Sequence, residues 1–265
     1  MICQADFKVS IIITSYNQAS YLVEALESVM AQSLPPFEII VSDDGSTDES
    51  PELLRKFARK YPDWIIPFIH ENVGIPRNRN IALQRVRGNF VGILDGDDRF
   101  RSQKLEKQFE ALNRVKGARA VYGNFSRFAE GQGIVSFRYD KPQPEGDILG
   151  SVADLNFGLI RTMVVETDAM KAAGFMDVNL PKYDGLWLSI ILASFCQIAY
   201  VDDVIVDKRL HADGDSKKNL HQDIKDVSLI FNRVQKMINH LPKEQKEKIY
   251  GRYKRVIRRL KSPIW

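Results

Sequence analysis

Short apolar runs rich in β-branched residues alternate with longer amphipathic segments over residues 9–125. The runs, which we predict as buried strands, lie at 9–13, 38–41, 64–70, 90–94 and 118–125. Between them, apolar residues recur with the spacing of one helix face, as at Leu22, Leu26 and Val29. This alternation predicts an α/β fold in which helices flank a mostly parallel central sheet.

The pattern is less regular after residue 125. We predict a hairpin arm at 133–140, a short helix at 167–175, a buried helix at 184–194, two short strands within 198–210, and one or two helices from residue 219 onward. Pro242 suits the start of a second C-terminal helix, because proline is tolerated in a first turn. We therefore expect one domain over residues 1–216 and a helical extension over residues 217–265.

The extension is strongly basic, although the whole chain carries a net charge of only +4. From Lys217 onward there are 14 Lys and Arg against 4 Asp and Glu, whereas the preceding residues carry 24 against 30. An apolar stripe runs between these basic residues and consists of Ile249, Tyr253, Val256, Ile257 and Leu260. Such a helix can lie on an anionic membrane surface, or it can pack its stripe against the body of the protein. The sequence leaves both interpretations open.

Other features of the sequence exclude several classes of protein. Cys3 and Cys196 lie too far apart for a metal or redox motif, which favours a reducing cytoplasm. The first residues lack the pattern of a signal peptide, and no run approaches the roughly 18 apolar residues that cross a bilayer. Basic residues alone give only sequence-blind attraction to nucleic acid, and the acidic body opposes it. We expect no nucleic-acid partner.

Polar clusters follow the first, second and fourth predicted strands, at residues 14–17, 42–48 and 95–98. Because ligands of such sheets bind beyond the carboxyl ends of the strands, we expect one shared site. The last cluster holds Asp95, Asp97 and Asp98 directly after a buried run. A lone D-x-D motif is often only a solvated acidic turn, but this oxygen-rich cluster suits Mg²⁺ or Mn²⁺.

These clusters lie in segments that resemble the family-two inverting glycosyltransferases of the GT-A fold. The matching segments are "VSIIITSYNQASYLVEALESVMAQS", "EIIVSDDGSTDES", "ENVGIPRNRNIAL" and "VGILDGDDRF", and more weakly "YDGLWLSIILAS" and "KRLHADGDS". The resemblance implies a Rossmann-like enzyme that moves a sugar from a nucleotide diphosphate sugar to an acceptor hydroxyl. It fades after residue 125, so we expect residues 1–125 to bind the donor and residues 126–216 to bind the acceptor.

By resemblance, Thr14, Tyr16 and Asn17 line the nucleotide pocket, with Tyr16 against the base. Asp44 is expected to accept a hydrogen bond from the N–H of a uracil ring, with Asp43 nearby. This contact favours a UDP-linked donor over GDP- or dTDP-linked donors. Asp43 has a structural alternative, because aspartate is a common cap at the start of a helix.

The resemblance also assigns residues to the diphosphate and the sugar. Arg79 is expected to meet the nucleotide or to neutralise an acid. Asp95 is expected to reach the ribose or the sugar, and Gly96 permits close approach of the backbone to the donor. Arg209 is expected to pair with phosphate, which the fork of a guanidinium suits.

The expected cofactor is Mn²⁺ or Mg²⁺. The resemblance makes Asp97 the first candidate as a direct ligand and Asp98 a second. His211 is expected to approach the metal or the diphosphate, although a lone histidine is as readily structural.

Asp184 is the predicted catalytic base, because it matches the aspartate of a Glu-Asp pair at the start of a helix in the family. Tyr183 replaces the glutamate, and Ser189 stands where the family often has arginine. A carboxylate placed on the attacking hydroxyl is the expected general base of a single displacement that inverts the sugar centre. Asp184 as a helix cap is the structural alternative, and Asp177 is the second candidate for the base.

The implied biology is bacterial surface-glycan synthesis, with a glycan or lipid-linked acceptor, in the cytoplasm or at the inner face of the cell membrane. No Q-x-x-R-W motif is present, so a single-addition enzyme fits better than a processive synthase. Two alternatives stay open. One is a nucleotidyltransferase acting on sugar phosphates, and the other is a catalytically silent relative that only binds.

Overall fold

A mixed β-sheet organises the chain in the computed structural model, which describes residues 2–155, 159–211 and 219–262. The strands are β1 (Val9–Ser15), β2 (Glu38–Asp43), β3 (Ile65–Ile69), β4 (Phe90–Asp95), β5 (Arg99–Phe100), β6 (Ala118–Ala129), β7 (Gly133–Phe137), β8 (Val164–Glu166) and β9 (Gln197–Leu210). The helices are α1 (Ala19–Met30), α2 (Ser50–Lys60), α3 (Ile75–Leu83), α4 (Lys104–Arg114), α5 (Leu149–Ala153), α6 (Thr167–Ala172), α7 (Asp184–Ala193), α8 (Leu220–Met237) and α9 (Lys243–Lys261). The predicted α/β class is confirmed.

The strand order places the ends of the motif-bearing strands side by side. The described strands follow the order β3-β2-β1-β4-β8-β6-β9-β5, and β7 pairs with β6 as the predicted hairpin arm. Strands β1 to β4 run parallel, whereas β8 runs antiparallel to β4 and β6. The chain leaves β1 towards β2 and β3 and then returns to β4 on its other side. This reversal of strand order creates a crevice at the carboxyl ends of β1 and β4, where ligands of such sheets bind.

The central strands are buried on both faces, which explains their unbroken apolar runs. Every residue of β1 and β2 is buried. Alternate side chains enter opposite cores: Ile12 and Ile40 face one layer, whereas Ile11 and Ile13 face the other. The period of two in a strand causes this division.

The C-terminal helices share one of these two cores. Val227, Ile230 and Val234 of α8, together with Ile249 and Tyr253 of α9, are buried in the same cluster as Ile12. The apolar stripe of α9 therefore packs on the body, as the second interpretation of the sequence expected. The predicted boundary at residue 216 lies outside the described residues.

The prediction of two short strands within 198–210 was wrong, because β9 runs without a break over 14 residues. The polar pair Asp202 and Asp203 interrupts the apolar run within β9. In the structure the pairing of β9 with β6 shifts at this point, so that Gly123 faces Val201 and the next residue faces Val204. A bulge of this kind lets the two acids reach solvent while the strand continues.

Candidate active site

The acidic loop, residues 95–98, leaves the end of β4 and folds against the end of β1. The amide of Gly96 donates a 2.8 Å hydrogen bond to the carbonyl of Thr14. A Cβ atom at Gly96 would lie 3.0 Å from the carbonyl oxygen of Thr14, so glycine favours this close approach of the two backbones. Carboxylate oxygens of Asp95, Asp97 and Asp98 lie within 4.8 Å of one another. The three acids therefore form a true cluster.

Two arginines from distant elements lie among these acids. Arg79 of α3 contacts one oxygen of Asp95 through Nη2 at 2.7 Å, and Arg161 contacts the other through Nη1 at 2.8 Å. Burial opposes ionisation of Asp95, but Arg161 and Arg79 outweigh it and hold the pKa of this carboxyl well below its usual range. Asp95 is therefore a carboxylate with both oxygens paired.

Asp98 is the most enclosed member of the acidic loop, with 1% of its surface exposed. One oxygen accepts the amide of Arg209 at 2.9 Å, and the other accepts Arg161. Burial raises the pKa of Asp98 above its ordinary value, and Arg161 opposes that rise. Its place as a second metal ligand stays a prediction, because a metal ion would compete with Arg161 for the same oxygen.

Asp97 lies beside His211, with 2.9 Å between Oδ2 and Nε2. The Nδ1 atom of His211 is buried and has no hydrogen-bond partner within the described part of the chain. The ring of Tyr21 packs on the imidazole at 4.8 Å between centroids. A carboxylate oxygen and an imidazole nitrogen at this spacing suit a divalent ion such as Mn²⁺. The two predicted ligands Asp97 and His211 thus fit a metal site.

Arg209 lies beneath the acidic loop. Its Nε donates to the carbonyl of Asp97 at 3.0 Å, and its guanidinium pairs with Glu24 and Glu130. The guanidinium also stacks over Tyr21 at 4.8 Å. The contact of Arg209 with phosphate stays a prediction. A phosphate would have to compete with Glu24 and Glu130 for this guanidinium.

Asp184 lies at the edge of the same cluster. It is the first residue of α7, and its Oδ2 accepts a hydrogen bond from Nη1 of Arg79 at 2.9 Å. Burial opposes the charge of Arg79, but Asp184 and Asp95 together raise the pKa of its guanidinium above the ordinary value. The Nε of Arg79 is buried without a partner among the described residues. One cation thus connects the predicted base to the acidic loop.

A glycine lets α7 begin this close to the acidic cluster. A Cβ atom at Gly185 would lie 2.3 Å from Cγ2 of Ile160. Ile160 precedes Arg161, so the start of α7 and the turn that carries Arg161 are packed directly together. This contact sets Asp184 and Arg161 on neighbouring sides of the cluster.

The loop after β1 forms the other side of the crevice. Tyr16 is 49% exposed, which leaves its ring available to a ligand. Asn17 has a positive φ of 52°, a conformation that asparagine tolerates better than most residues. Its amide donates to Ser46 Oγ at 2.8 Å, and its side chain accepts the amide of Thr47 at 2.8 Å. The loops after β1 and β2 therefore hold each other.

Asp43 and Asp44 are both buried and bind backbone groups. Asp43 accepts the amide of Ser46 at 2.9 Å and its hydroxyl at 2.6 Å, so it closes the loop after β2. Its structural alternative as a helix cap was wrong, because α2 begins only at Ser50 and has no side-chain cap. Asp44 accepts the amides of Val73 and Gly74 at 2.7 and 3.0 Å. Their contacts with a nucleotide stay predictions, and a uracil would have to share Asp44 with these amides.

Sequence reasoning missed Arg161 and Glu24. Arg161 lies outside the segments that match the family, and Glu24 lies inside the first of them. In both cases the partner is far away in the chain: Arg161 binds Asp98, and Glu24 binds Arg209. The sequence signal that remains is indirect, because three crowded acids require cations nearby.

The chain is similar to a known protein family and to several known proteins. Residues 10–158 match the family model described as glycosyl transferase family 2. The chain is 39% identical over 104 residues to the putative teichuronic acid biosynthesis glycosyltransferase TuaG of Bacillus subtilis, covering 39% of this chain and 41% of TuaG. It is 31% identical over 219 residues to an uncharacterised glycosyltransferase of Rickettsia conorii, covering 79% of this chain and 35% of that protein. The chain thus spans well under half the length of these relatives.

Solved structures of S. aureus TarS share the fold. The complex of TarS residues 1–349 with UDP superimposes with a TM-score of 0.71 at 19% identity, covering 93% of this chain and 70% of that chain. The complex with UDP-GlcNAc gives a TM-score of 0.72 at 20% identity, covering 93% and 71%. At these identities the likeness establishes the common architecture.

Proposed function

The chain belongs to glycosyl transferase family 2, and we propose that it transfers a sugar from a UDP-linked donor to an acceptor hydroxyl with inversion at the anomeric carbon. The predictions of a glycosyltransferase and of the GT-A fold are confirmed by the family match, the named relatives and the TarS structures. The nucleotidyltransferase alternative is thereby set aside. The donor, the metal and the stereochemistry are the content of the proposal.

The observation that carries the proposal is the bridge from Asp95 through Arg79 to Asp184. Nη2 of Arg79 contacts Asp95 at 2.7 Å, and Nη1 contacts Asp184 at 2.9 Å. One guanidinium group makes both contacts, so only the width of this group separates the carboxylate of Asp184 from that of Asp95. A base at this distance can reach a hydroxyl placed beside a donor that the loop holds.

The donor is proposed to be UDP-linked, with the base against Tyr16 and the ribose and sugar near Asp95. Support comes from the exposed ring of Tyr16, the acids at the end of β2, and the fold shared with TarS, which was solved with UDP and with UDP-GlcNAc. The amide of Gly96 binds the carbonyl of Thr14, which keeps the acidic loop beside the end of β1, where Tyr16 follows.

Asp97 and His211 are proposed to hold Mn²⁺ or Mg²⁺, with Asp98 as the next nearest carboxylate. A divalent ion bound there would offset the negative charge of the departing nucleoside diphosphate. Arg161 and Arg79 pair with Asp95 and Asp98, which leaves Asp97 and His211 for the ion.

Asp184 is proposed to accept the proton of the attacking hydroxyl as its oxygen approaches the anomeric carbon. Arg79 orients one oxygen of Asp184 through a 2.9 Å hydrogen bond. The other oxygen is then available to the acceptor. A single attack from the face opposite the nucleoside diphosphate inverts the sugar centre and gives a β-linked product from an α-linked donor.

Residues 126–216 are proposed to bind a glycan or lipid-linked acceptor of a bacterial surface glycan, in line with the name of the relative TuaG. Free Cys3 and Cys196 suit the reducing cytoplasm, where nucleotide sugars would be used. The structure describes no helix with both the length and the apolar character that crossing a bilayer requires.

Contact with an anionic membrane is proposed to use the outward side of α9. Its last two turns expose Lys254, Arg255, Arg258, Arg259 and Lys261, while its apolar stripe is occupied by the body. Attraction would therefore be electrostatic and would weaken with salt. Pelleting with phosphatidylserine vesicles at low salt tests this contact. Equal soluble fractions for the wild type and for the charge-reversed variant Lys254→Glu/Arg258→Glu would contradict it.

The proposed reaction is tested by incubating the protein with UDP-sugars, Mn²⁺ and candidate acceptors and measuring UDP release. We expect Asp184→Asn to reduce transfer by about 10²–10⁴-fold, the usual contribution of a positioned base, without loss of UDP binding. Asp168→Asn is a matched control, because Asp168 also lies in the first turn of a helix but is exposed. Full activity of Asp184→Asn would refute the assignment, and release of pyrophosphate would restore the nucleotidyltransferase alternative. An α-linked product would refute inversion.

A further inference from the structure

Helix α8 contacts the base loop, residues 176–184, which leads into Asp184. We propose that Asp223 and Asp226 of α8 are positioning residues, which hold the base loop so that Asp184 faces the acidic loop. The inference rests on the proposed role of Asp184 as the base. It adds residues from the C-terminal helices to the catalytic unit.

Asp223 and Asp226, with their contacts to the base loop, form what we call the brace. Asp226 is its most deeply buried part. It is 0% exposed, and its Oδ2 accepts the backbone amide of Lys182 at 3.2 Å. Its Oδ1 accepts Nε2 of Gln222 at 2.5 Å. A buried carboxylate is costly unless its oxygens are hydrogen-bonded, so these contacts fix Asp226 and the backbone of the base loop to each other.

Asp223 makes the second contact, one turn earlier on α8. It pairs with Nζ of Lys182 at 2.8 Å and accepts a hydrogen bond from the hydroxyl of Tyr183. The carbonyl of Tyr183 in turn accepts the amide of Trp187 at 2.9 Å, within the first turn of α7. Tyr183 stands where related enzymes have a glutamate. Here its hydroxyl gives the residue before Asp184 an anchor on α8.

The brace begins at a well-formed helix start. Asn219 caps α8 by accepting the amide of Gln222 at 3.1 Å. Asp223 lies in the first turn, where a negative charge favours the helix dipole. These local interactions fix the direction of α8 before it meets the base loop.

The opposite end of the base loop is held as well. Asn80 forms two hydrogen bonds with the backbone of Met176, each of 2.9 Å. Arg233 of α8 binds Asp177 at 2.5 Å and stacks over Trp187 at 5.0 Å. Asn80 follows Arg79 on α3. The residue that binds the start of the base loop is therefore next to the residue that binds Asp184. Asp177, the second candidate for the base, serves as a link to α8.

The base loop is therefore held between α3 and α8, and Asp184 lies at its end, next to Arg79. A displacement of about 1 Å at a reacting group costs about 10²-fold in rate, so small losses of position are measurable. It follows that a chain cut at residue 216 would lose the brace along with the basic tail.

The brace is tested with the full chain in two variants, Asp226→Asn and Asp223→Asn/Tyr183→Phe. Hydrogen exchange of residues 180–188 is measured together with the kcat and KM of UDP release. We expect exchange in this segment to become about tenfold faster, and kcat to fall by about tenfold or more, while KM for the donor stays within about twofold. The double variant removes half-buried contacts, so it keeps the test valid if Asp226→Asn fails to fold.

Matched controls are Asp203→Asn and Tyr250→Phe. Asp203 pairs with Lys107 on the surface as Asp223 pairs with Lys182, and Tyr250 packs on α8 away from the base loop. We expect neither control to change exchange in residues 180–188 or kcat.

Three results would overturn the inference. Unchanged exchange would show that α8 does not hold the loop. Faster exchange with unchanged kcat would show that the loop does not position the base. Parallel changes of kcat and donor KM would indicate a general structural role. If the wild type transfers no sugar from any donor, the proposed function fails, and the exchange measurement still decides whether α8 holds the loop.

Discussion

Arg79 donates a 2.9 Å hydrogen bond to Asp184 across 105 positions of the chain. The contact joins α3, in the segment predicted to bind the donor, to α7, the helix that begins with the predicted base. Both side chains are largely buried, so the pair is shielded from solvent.

Substitution of Arg79 should disable the site and weaken the fold. Arg79→Gln leaves Asp95 and Asp184 without their shared cation, and breaking a buried pair costs about 3–5 kcal/mol. We expect a lower midpoint of urea unfolding and a loss of UDP release. Arg77→Gln is the matched control, since Arg77 lies two residues away on the exposed side of α3. Equal stability of the two variants would contradict the bridge.

Removal of the metal ligands should weaken Mn²⁺ binding before it changes the fold. Because Asp97 and His211 lie 2.9 Å apart at the predicted site, Asp97→Asn and His211→Ala should each raise the Kd for Mn²⁺. An effect of about tenfold or more is expected, since even residues that only orient metal ligands contribute 10–100-fold.

The measurement is a titration of Mn²⁺ followed by electron paramagnetic resonance or calorimetry. His240→Ala is the control, because His240 is exposed on the segment between α8 and α9. EDTA should abolish UDP release and Mn²⁺ should restore it. A wild-type protein that binds no Mn²⁺ would refute the site.

Lys104 should make stability depend on pH. It is fully buried at the start of α4, where its Nζ contacts Oε1 of Gln108 at 2.5 Å, and burial lowers the pKa of Lys104 to about 7. The unfolded chain binds this proton up to the ordinary value of 10.5. The folded protein therefore loses stability as the pH falls from 10.5 towards 7, and the loss is constant below that range.

Lys104→Met removes this dependence, because methionine fills a similar volume without a charge. We expect its Tm to exceed that of the wild type near pH 7 and the difference to shrink towards pH 10. Lys116→Met, an exposed substitution in the segment after α4, serves as the control. A difference in Tm that does not vary with pH would exclude a buried titrating lysine.

Gly185→Ala should displace the start of α7. Its Cβ would lie 2.3 Å from Cγ2 of Ile160, and such overpacking costs about 1–3 kcal/mol. We expect reduced stability together with reduced UDP release, since Asp184 and Arg161 flank the contact. Adding Ile160→Ala should restore both in part by removing the obstructing methyl group.

Gly251→Ala is the contrasting substitution. Gly251 lies within α9, where the nearest obstacle is the flexible end of Arg255 at 3.3 Å. Alanine is favoured over glycine inside a helix by about 0.5–1 kcal/mol, so this variant should be more stable. Similar losses of stability in both glycine variants would argue against the specific contact with Ile160.

Much of the donor side could be predicted from the sequence. The apolar runs at residues 9–13 and 90–94 identify buried strands, and the polar residues that follow them mark the sheet edge. Thr14 and Asp95 then lie in register on neighbouring strands. Residue type and spacing are enough to predict these positions, because each apolar run ends where its strand reaches the edge of the sheet.

The neutralisation of the acidic loop could not be predicted in the same way. Arg161 lies in a stretch without a motif, and it meets Asp98 only because the turn before β8 folds against the start of α7. The sequence indicated that a cation must lie among the acids, but it did not distinguish a metal ion from an arginine. The structure contains arginines at Asp95 and Asp98 and leaves Asp97 to His211.

The sequence by itself determined the family, the central sheet and the residues at its carboxyl edge, because hydrophobic periodicity and short motifs depend on neighbours in the chain. Only the tertiary structure decided which charges meet and that α8 contacts the base loop. Many of those contacts join residues that are far apart in the chain, such as Lys182 with Asp226, at a separation of 44, and Arg79 with Asp184, at 105. Such pairs form where packed helices bring their surfaces together, and that geometry has no signature in local sequence.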